Sequence, residues 1–559
     1  MAEARLSAML GRPRDVLSAI GRQAQREWRA GPVHRLLIVR PRTAGLAVRP
    51  RDLRPADAAA GERLLAGRFA FGGEAIDIGP GGDPWRRALP SRRFATALHG
   101  FGWAGDLLAV GEAGAKELLR LWLEWRAVFG GGNAFAWSGL ALERRVFNLA
   151  ASAAALAPLV SDAEGATFVG DLARQARHLS GEPGDPGRAA ERAAVAALVG
   201  ASLAGRAGEG MRRRALARLD QQLTLAVLRD GVHASRAPDR GLELLFDLLA
   251  LDDALSQAGA PAPVEVSRAI DRLSAGVRLF ALADGRLATF QGGEPGDRAR
   301  IAAALALDRA GGAPPKSAPY GGYHRLEGGG LQVIADGVGA SAADWAGTAC
   351  AQPASLTLAV DGRRLIAGSA WSASADSPGE LRGPAGGSCL ALGDTWPGRA
   401  RLVPGDLGER LEASTFEASA ECNEGGEAVW LDVAHGGWRT LGFDTQRRLF
   451  LDIAAGELRG EDALTPVGRP RQGPTDFAIR FQLAPGVSAQ IANDGRSALI
   501  RPAGGAGWRL RSDAADTRLE PSVAYDAGEA RAVQALVLAG LASPAEGARV
   551  RWKLSRDEG

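Results

Sequence analysis

Lysine, tyrosine, methionine and cysteine are all scarce in this chain. Lysine stands only at Lys116, Lys316 and Lys553, so nearly all of the 67 basic residues are arginine. A GC-rich coding sequence produces that bias. It also supplies forked guanidinium donors suited to carboxylates and sulfates. The three cysteines, Cys350, Cys389 and Cys422, have no CxxC spacing. An odd number without such spacing is a poor disulfide framework and predicts buried or half-buried free thiols. The formal net charge is only +3. That balance, with no ribbon of interleaved aromatic and basic residues, excludes nucleic acid as the main partner. No stretch approaches about 18 apolar residues without charge, so no membrane span is expected. GxSxG, GxxxxGK[ST] and HExxH are absent, and glycine strings such as GGEPGDR lack the strand–helix context of a phosphate cradle.

The N-terminal segment MAEARLSAMLGRPRDVLSAIGRQAQREWRAG lacks the apolar core and small-residue cleavage site of a signal peptide. It reads as a basic amphipathic helix. The run Leu36–Val39 is too short for a signal core, and a short extended piece is expected around Arg35–Arg40. On these grounds the predicted location is cytoplasmic.

What the sequence does contain is enough apolar residue for more than one core. A chain of 559 residues with 46% hydrophobic and 23% charged content is an ordinary globular composition spread over two or more domains. Residues 1–93 read as an N-terminal extension, with a Gly- and Pro-rich loop or short hairpin at 72–85. From 94 to 312, apolar residues recur at helical spacing in segments such as 106–129, 140–160, 165–180, 189–205, 211–229, 241–258, 263–282 and 297–309. Leucines at 242, 244, 245, 248, 249 and 251 predict burial almost all round the helix, as for the inner layer of a helical array. The linker GGAPPKSAPYGGYH (311–324) then ends the helical rhythm. Short alternating runs follow at 331–337, 354–362, 363–370, 427–435, 447–455, 477–483, 496–502 and 508–512. VQALVLAG and VRWKLS supply the last strands, and dipeptide turns in ELRGED and ANDGRS separate neighbours. This is the pattern of a large antiparallel sandwich over 313–559.

Several segments, in order from about residue 30 to 545, resemble the heparinase II/III-like family. They are LHGFGW (98–103), DGVHASRAP (230–238), DGRLATFQGG (284–293), GYHRLEGGGLQVIADGV (322–338) and AHGGWRTLGFDTQRRLFLD (434–452). The resemblance implies an N-terminal (α/α) toroid followed by a C-terminal antiparallel β-sandwich. It also implies β-elimination on a uronate-containing polysaccharide, so an acidic polysaccharide or oligosaccharide is the implied partner. It would admit a periplasmic location as well.

Such a reaction needs a group that neutralises the uronate carboxylate, a base for the C5 proton and an acid for the leaving oxygen. His233 stands where the family carries the Asn or His that engages the carboxylate, with Asp230 and Arg236 to orient it or hold substrate. Tyr323, in the stretch entering the sandwich, and His435, in AHGGW, complete the candidate catalytic set. Arg144 and Asn148 share a helix face by their spacing and are candidate substrate ligands. Two departures accompany these matches. The helical-domain tyrosine of the family is missing, with Phe280 and Phe290 in that stretch. The sandwich histidine is replaced at Gly387, with Cys389 two residues on. A structural zinc is implied by the resemblance, but its ligand set is incomplete, so no metal or other cofactor is expected. Two readings follow: a polysaccharide lyase, or a catalytically altered relative that binds a glycan or cell-envelope partner without cleaving it.

Overall fold

The computed structural model describes residues 13–39, 45–340, 343–405, 408–468 and 473–557. The chain packs as two units, one of residues Met1–Thr224 with Phe246–Ser267, the other of Leu225–Leu245 with Arg268–Gly559.

The first unit is helical. Its longer helices include Glu112–Phe129, Gly139–Leu156, Asp162–Ser180 and Ala189–Ser202, each on a segment whose apolar period predicts it. Ser161 opens one with a capping box, its side chain on the Glu164 amide and the Glu164 carboxylate on the Ser161 amide. The 72–85 segment forms the turn of a hairpin, β1 (Arg68–Phe71) and β2 (Glu74–Asp77), with Gly72 and Gly73 at φ 59° and 80°. Only glycine enters such a turn without steric cost. The extended piece expected near Arg35–Arg40 is instead the helix Pro32–Val39, Arg40 lying outside the described residues. The amphipathic segment is helical over Pro13–Ala30, and its first 12 residues also lie outside the described ones. None of the described helices is long and apolar enough to cross a membrane.

Polar anchors hold this unit. Asp247 is buried and accepts from Arg54 at 2.8 Å and from both terminal nitrogens of Arg144 at 2.8 and 3.0 Å. Arg145 is fully buried over the Trp125 ring and donates to Gln175 and to the His99 carbonyl.

The second unit is built on two antiparallel sheets. One sheet joins β3 (Ser317–Ala318), β4 (Tyr323–Gly328), β5 (Leu331–Asp336), β6 (Leu356–Val360), β7 (Arg363–Ala367) and β8 (Leu390–Leu392) to three later strands, β15 (Thr475–Leu483), β19 (Asp516–Asp526) and β20 (Glu529–Ala542). Between β8 and these, β9 (Arg401–Val403) and β10 (Arg410–Glu412) form a separate hairpin. The other sheet has eight strands. In spatial order they are β11 (Ala418–Gly425), β12 (Ala428–His435), β13 (Phe443–Asp452), β14 (Glu457–Pro466), β21 (Ala548–Arg556), β18 (Trp508–Ser512), β17 (Ser497–Pro502) and β16 (Val487–Ile491). Alternate apolar residues of both sheets, among them Leu331, Leu358, Leu431, Leu449, Phe481 and Leu536, share one core.

ELRGED, expected as a turn, lies within β14. Its charged residues alternate with Leu458, Gly460 and Asp462, and these three are buried. Gly460 is the gap into which Trp552 fits: a Cβ there would lie 2.1 Å from the indole. ANDGRS does turn, with Gly495 at φ 64° between β16 and β17.

Candidate functional site

The segment DGVHASRAP lies wholly in the second unit and is folded back on itself. Val227 and His233 form an isolated bridge, and the Ala234 amide donates to the Ala226 carbonyl at 2.8 Å. The Ser235 amide donates to His233 Nδ1 at 3.1 Å, and the Ser235 hydroxyl lies 2.7 Å from the same nitrogen. A ring nitrogen that accepts from a backbone N–H carries its lone pair there, so the neutral imidazole holds its proton on Nε2. The ring is buried and meets Trp345 edge-on at 6.4 Å.

Arg236, in the left-handed region at φ 61°, joins this segment to the sandwich. Its Nε donates to the Gly321 carbonyl at 2.8 Å and Nη2 to Asp336 Oδ1 at 2.5 Å. Asp336 also accepts from the Val338 and Gly339 amides, and Asp230 accepts from the Gly321 amide at 2.7 Å. The Arg236 guanidinium sits 4.8 Å from the centre of the Tyr323 ring, and the Tyr323 hydroxyl donates to the Arg236 carbonyl at 2.8 Å. Phe280 and Phe290 pack on that ring at 4.9 Å each. The half-buried Asp230 and the buried His233, Arg236 and Tyr323 are therefore gathered in one cluster.

The chemistry of that cluster departs from the expectation at Tyr323. Burial pushes its phenol well above the usual tyrosine range, against a smaller lowering by Arg236. A phenol so placed keeps its proton and donates a hydrogen bond to a carbonyl, the arrangement of an anchor. Arg236 is fully buried and engaged with Asp336 and Gly321, so it holds the loop where a substrate contact was expected.

His435 ends β12 and makes none of these contacts. Its ring lies against Phe416 and Trp438, at 5.7 and 5.4 Å, and Nδ1 accepts from the Gly437 amide at 3.3 Å. Burial, with Arg447 nearby, brings its imidazole down to about 4. Such a ring is neutral and poorly suited to hold a proton for a leaving oxygen. In the first unit, Arg144 is bound by Asp247, and Asn148 Nδ2 donates to the Gly100 carbonyl at 2.8 Å. Both act as internal ties of the helical array.

At Gly387, where the resemblance implies a histidine, the neighbouring side chains of Gln352 and Cys389 crowd the place of one. A Cβ there would lie 2.9 Å from Gln352 Cγ and 3.0 Å from Cys389 Sγ. Gln352 cannot swing aside without losing its bonds to the Leu381 and Gly383 carbonyls. Burial pushes the Cys350 and Cys389 thiols up to about 12, which leaves them protonated and unreactive. Among the described residues, no three of His, Cys, Asp and Glu gather as a metal-holding group.

The sequence does not mark Asp336, nor the half-buried Asp239 and the buried Glu294. Asp239 accepts from the Glu294 and Arg240 amides at 3.2 and 2.9 Å. Burial raises it to about 6. Glu294 accepts from Ser372 at 2.5 Å and from the Gly528 amide. Asp336 sits in an Ala-Asp-Gly turn, a signal any surface turn shares, so nothing in the sequence marked it.

Comparison with known proteins agrees with this architecture. Residues 310–553 match the family described as Heparinase II/III-like, C-terminal. The chain is 46% identical over 543 residues to the FtsZ-localized protein C of Caulobacter vibrioides (strain NA1000 / CB15N), covering 96% of this chain and 94% of that one. Its fold is that of heparinase III, with a TM-score of 0.68 at 13% identity over 99% of this chain and 93% of the other. The heparan sulfate lyase HepC from Pedobacter heparinus gives a TM-score of 0.56 at 14% identity, covering 96% and 88%. The chain belongs to the heparinase II/III-like family, with the toroid and β-sandwich architecture of those structures.

Proposed function

We propose that this chain is a catalytically altered heparinase-fold protein that works as a binding scaffold at an FtsZ-containing assembly and does not cleave polysaccharide. The observation that carries this reading is the Tyr323 hydroxyl, sealed from solvent and donated to the Arg236 carbonyl. β-Elimination without a base is not available to the cluster, and His435 and Gly387 supply no substitute. The 46% identical relative named for FtsZ supports the assembly. No metal is needed by this scaffold.

The test pairs two assays on the purified chain. Heparan sulfate, hyaluronan, chondroitin and alginate should each give no rise in the absorbance of 4,5-unsaturated uronate. FtsZ filaments should carry the chain down on sedimentation. A rise in that absorbance that is abolished in His233→Ala would replace this reading with the lyase. The lyase reading draws on one observation, the Ser235 N–H donated to His233 Nδ1, which leaves Nε2 as the ring nitrogen able to donate to a uronate carboxylate. Absence from the filament pellet would remove the FtsZ part.

A further inference from the structure

The outer face of the eight-stranded sheet carries a shallow groove of ≈ 690 Å³ that the cluster above does not touch. Cross-strand register aligns its floor. Trp430 pairs with Phe450, Phe450 with Arg459, Arg459 with Lys553, and Lys553 with Arg511. One straight row thus crosses five strands, about 19 Å at roughly 4.8 Å per strand. It runs from an indole that is 40% exposed to three cations. The Phe450 ring lies nearly parallel to Trp430 at 6.4 Å, and the Arg459 guanidinium sits 5.6 Å from its centre. Glu457 meets both Lys553 and Arg459, at 2.8 and 3.2 Å. Arg511 is exposed and has no carboxylate partner among the described residues.

The adjacent row is different. Asp432, Arg448, Glu461 and Arg551 align by register and pair among themselves at 2.9 to 3.5 Å. The groove is therefore apolar at one end, cationic at the other, and flanked by a mixed-charge row in which carboxylates are fixed.

We propose that this groove docks an acidic segment of a partner protein, with an apolar side chain against Trp430 and carboxylates against Arg459, Lys553 and Arg511. An exposed aromatic beside arginine is the composition of an interface anchor. The cationic end is complementary to carboxylates and fixes the direction of the segment. A polyanionic glycan fits less well. It offers an anion at nearly every sugar to a groove flanked by Asp432 and Glu461, whereas a peptide brings N–H donors that those carboxylates accept. This inference does not rest on the assignment to FtsZ.

The experiment is a selection of short random peptides displayed on phage against the full chain, with counter-selection on a Trp430→Ala, Lys553→Glu double variant. Enriched peptides are then synthesised and titrated by fluorescence anisotropy. The expected result is enrichment of acidic sequences holding one large apolar residue. Their affinity should fall roughly tenfold or more in Trp430→Ala and in Lys553→Glu, the loss of one interface anchor. It should also weaken with added salt. Unchanged circular dichroism would establish that both variants are folded. The proposal is overturned by no enrichment, by enriched peptides without acidic residues, or by affinities the variants leave unchanged. Heparan sulfate oligosaccharides that bind and lose affinity in the variants, while acidic peptides do not bind, would reassign the groove to glycan. A shift from dimer to monomer in Trp430→Ala, read by sedimentation, would reassign it to a second copy of this chain.

Discussion

Tyr323 shows how one residue type carries opposite meanings in different surroundings. A tyrosine beside an arginine suits general-base work when the guanidinium lowers the phenol and solvent or substrate reaches it. Here desolvation outweighs Arg236, and the hydroxyl is a donor to a carbonyl. Tyr323→Phe is therefore expected to cost about 1 kcal/mol of stability, the net worth of one hydrogen bond, read as a fall in urea midpoint. FtsZ sedimentation should be unchanged. His233 was legible from its loop in sequence. What sequence could not show is that its Nδ1 is occupied by Ser235, because that depends on a backbone turn two residues long.

At the scale of elements, the helical and strand periods carried most of the information. Helices at Gly139–Leu156, Asp162–Ser180 and Pro238–Gln257 lie where the apolar period placed them, and Leu242 to Leu251 are buried as the all-round pattern implied. β14 was hidden because its charged residues read as turn chemistry. Pairing with β13 and β21 puts Glu457, Arg459 and Glu461 on the outward half of a strand and turns Asp462 inward. Arg144 illustrates the converse error. Its helix face was read correctly from spacing, but spacing does not reveal Asp247, about one hundred residues away in sequence. Asp247→Ala would leave Arg54 and Arg144 without their shared carboxylate. A loss of about 1–3 kcal/mol is expected, the penalty for removing a buried hydrogen-bond acceptor from charged donors, since Arg54 keeps Asp52 as a partner. Chemical denaturation followed by far-ultraviolet circular dichroism would measure it. A loss below about 1 kcal/mol would show that Asp247 does not tie the helices together.

Over the whole molecule, buried neutral histidines set a pH limit. His99 and His178 are lowered to about 4, first by burial and then by Arg145 and Arg29 respectively, and His435 lies at about 4 by burial and Arg447. An unfolded histidine titrates near 6.5, so between those values the unfolded chain binds more protons than the folded one. Their contribution is present in full above about pH 6.5 and is lost as pH falls towards about 4, on the order of a few kcal/mol for each ring. Thermal melts from pH 7.5 down to 4.5 should show a falling midpoint, and a flat profile would refute the burial of these rings in solution.

By itself the sequence determined the order of the chain, helices first and antiparallel strands after, because side-chain periodicity is a local property that survives without knowledge of contacts. It also determined the family, through an ordered set of loops. The tertiary structure alone decided what the candidate residues do. The proton on a phenol, the partner of a guanidinium and the space beside Gly387 depend on desolvation and on atoms brought together from distant positions. No local pattern encodes either.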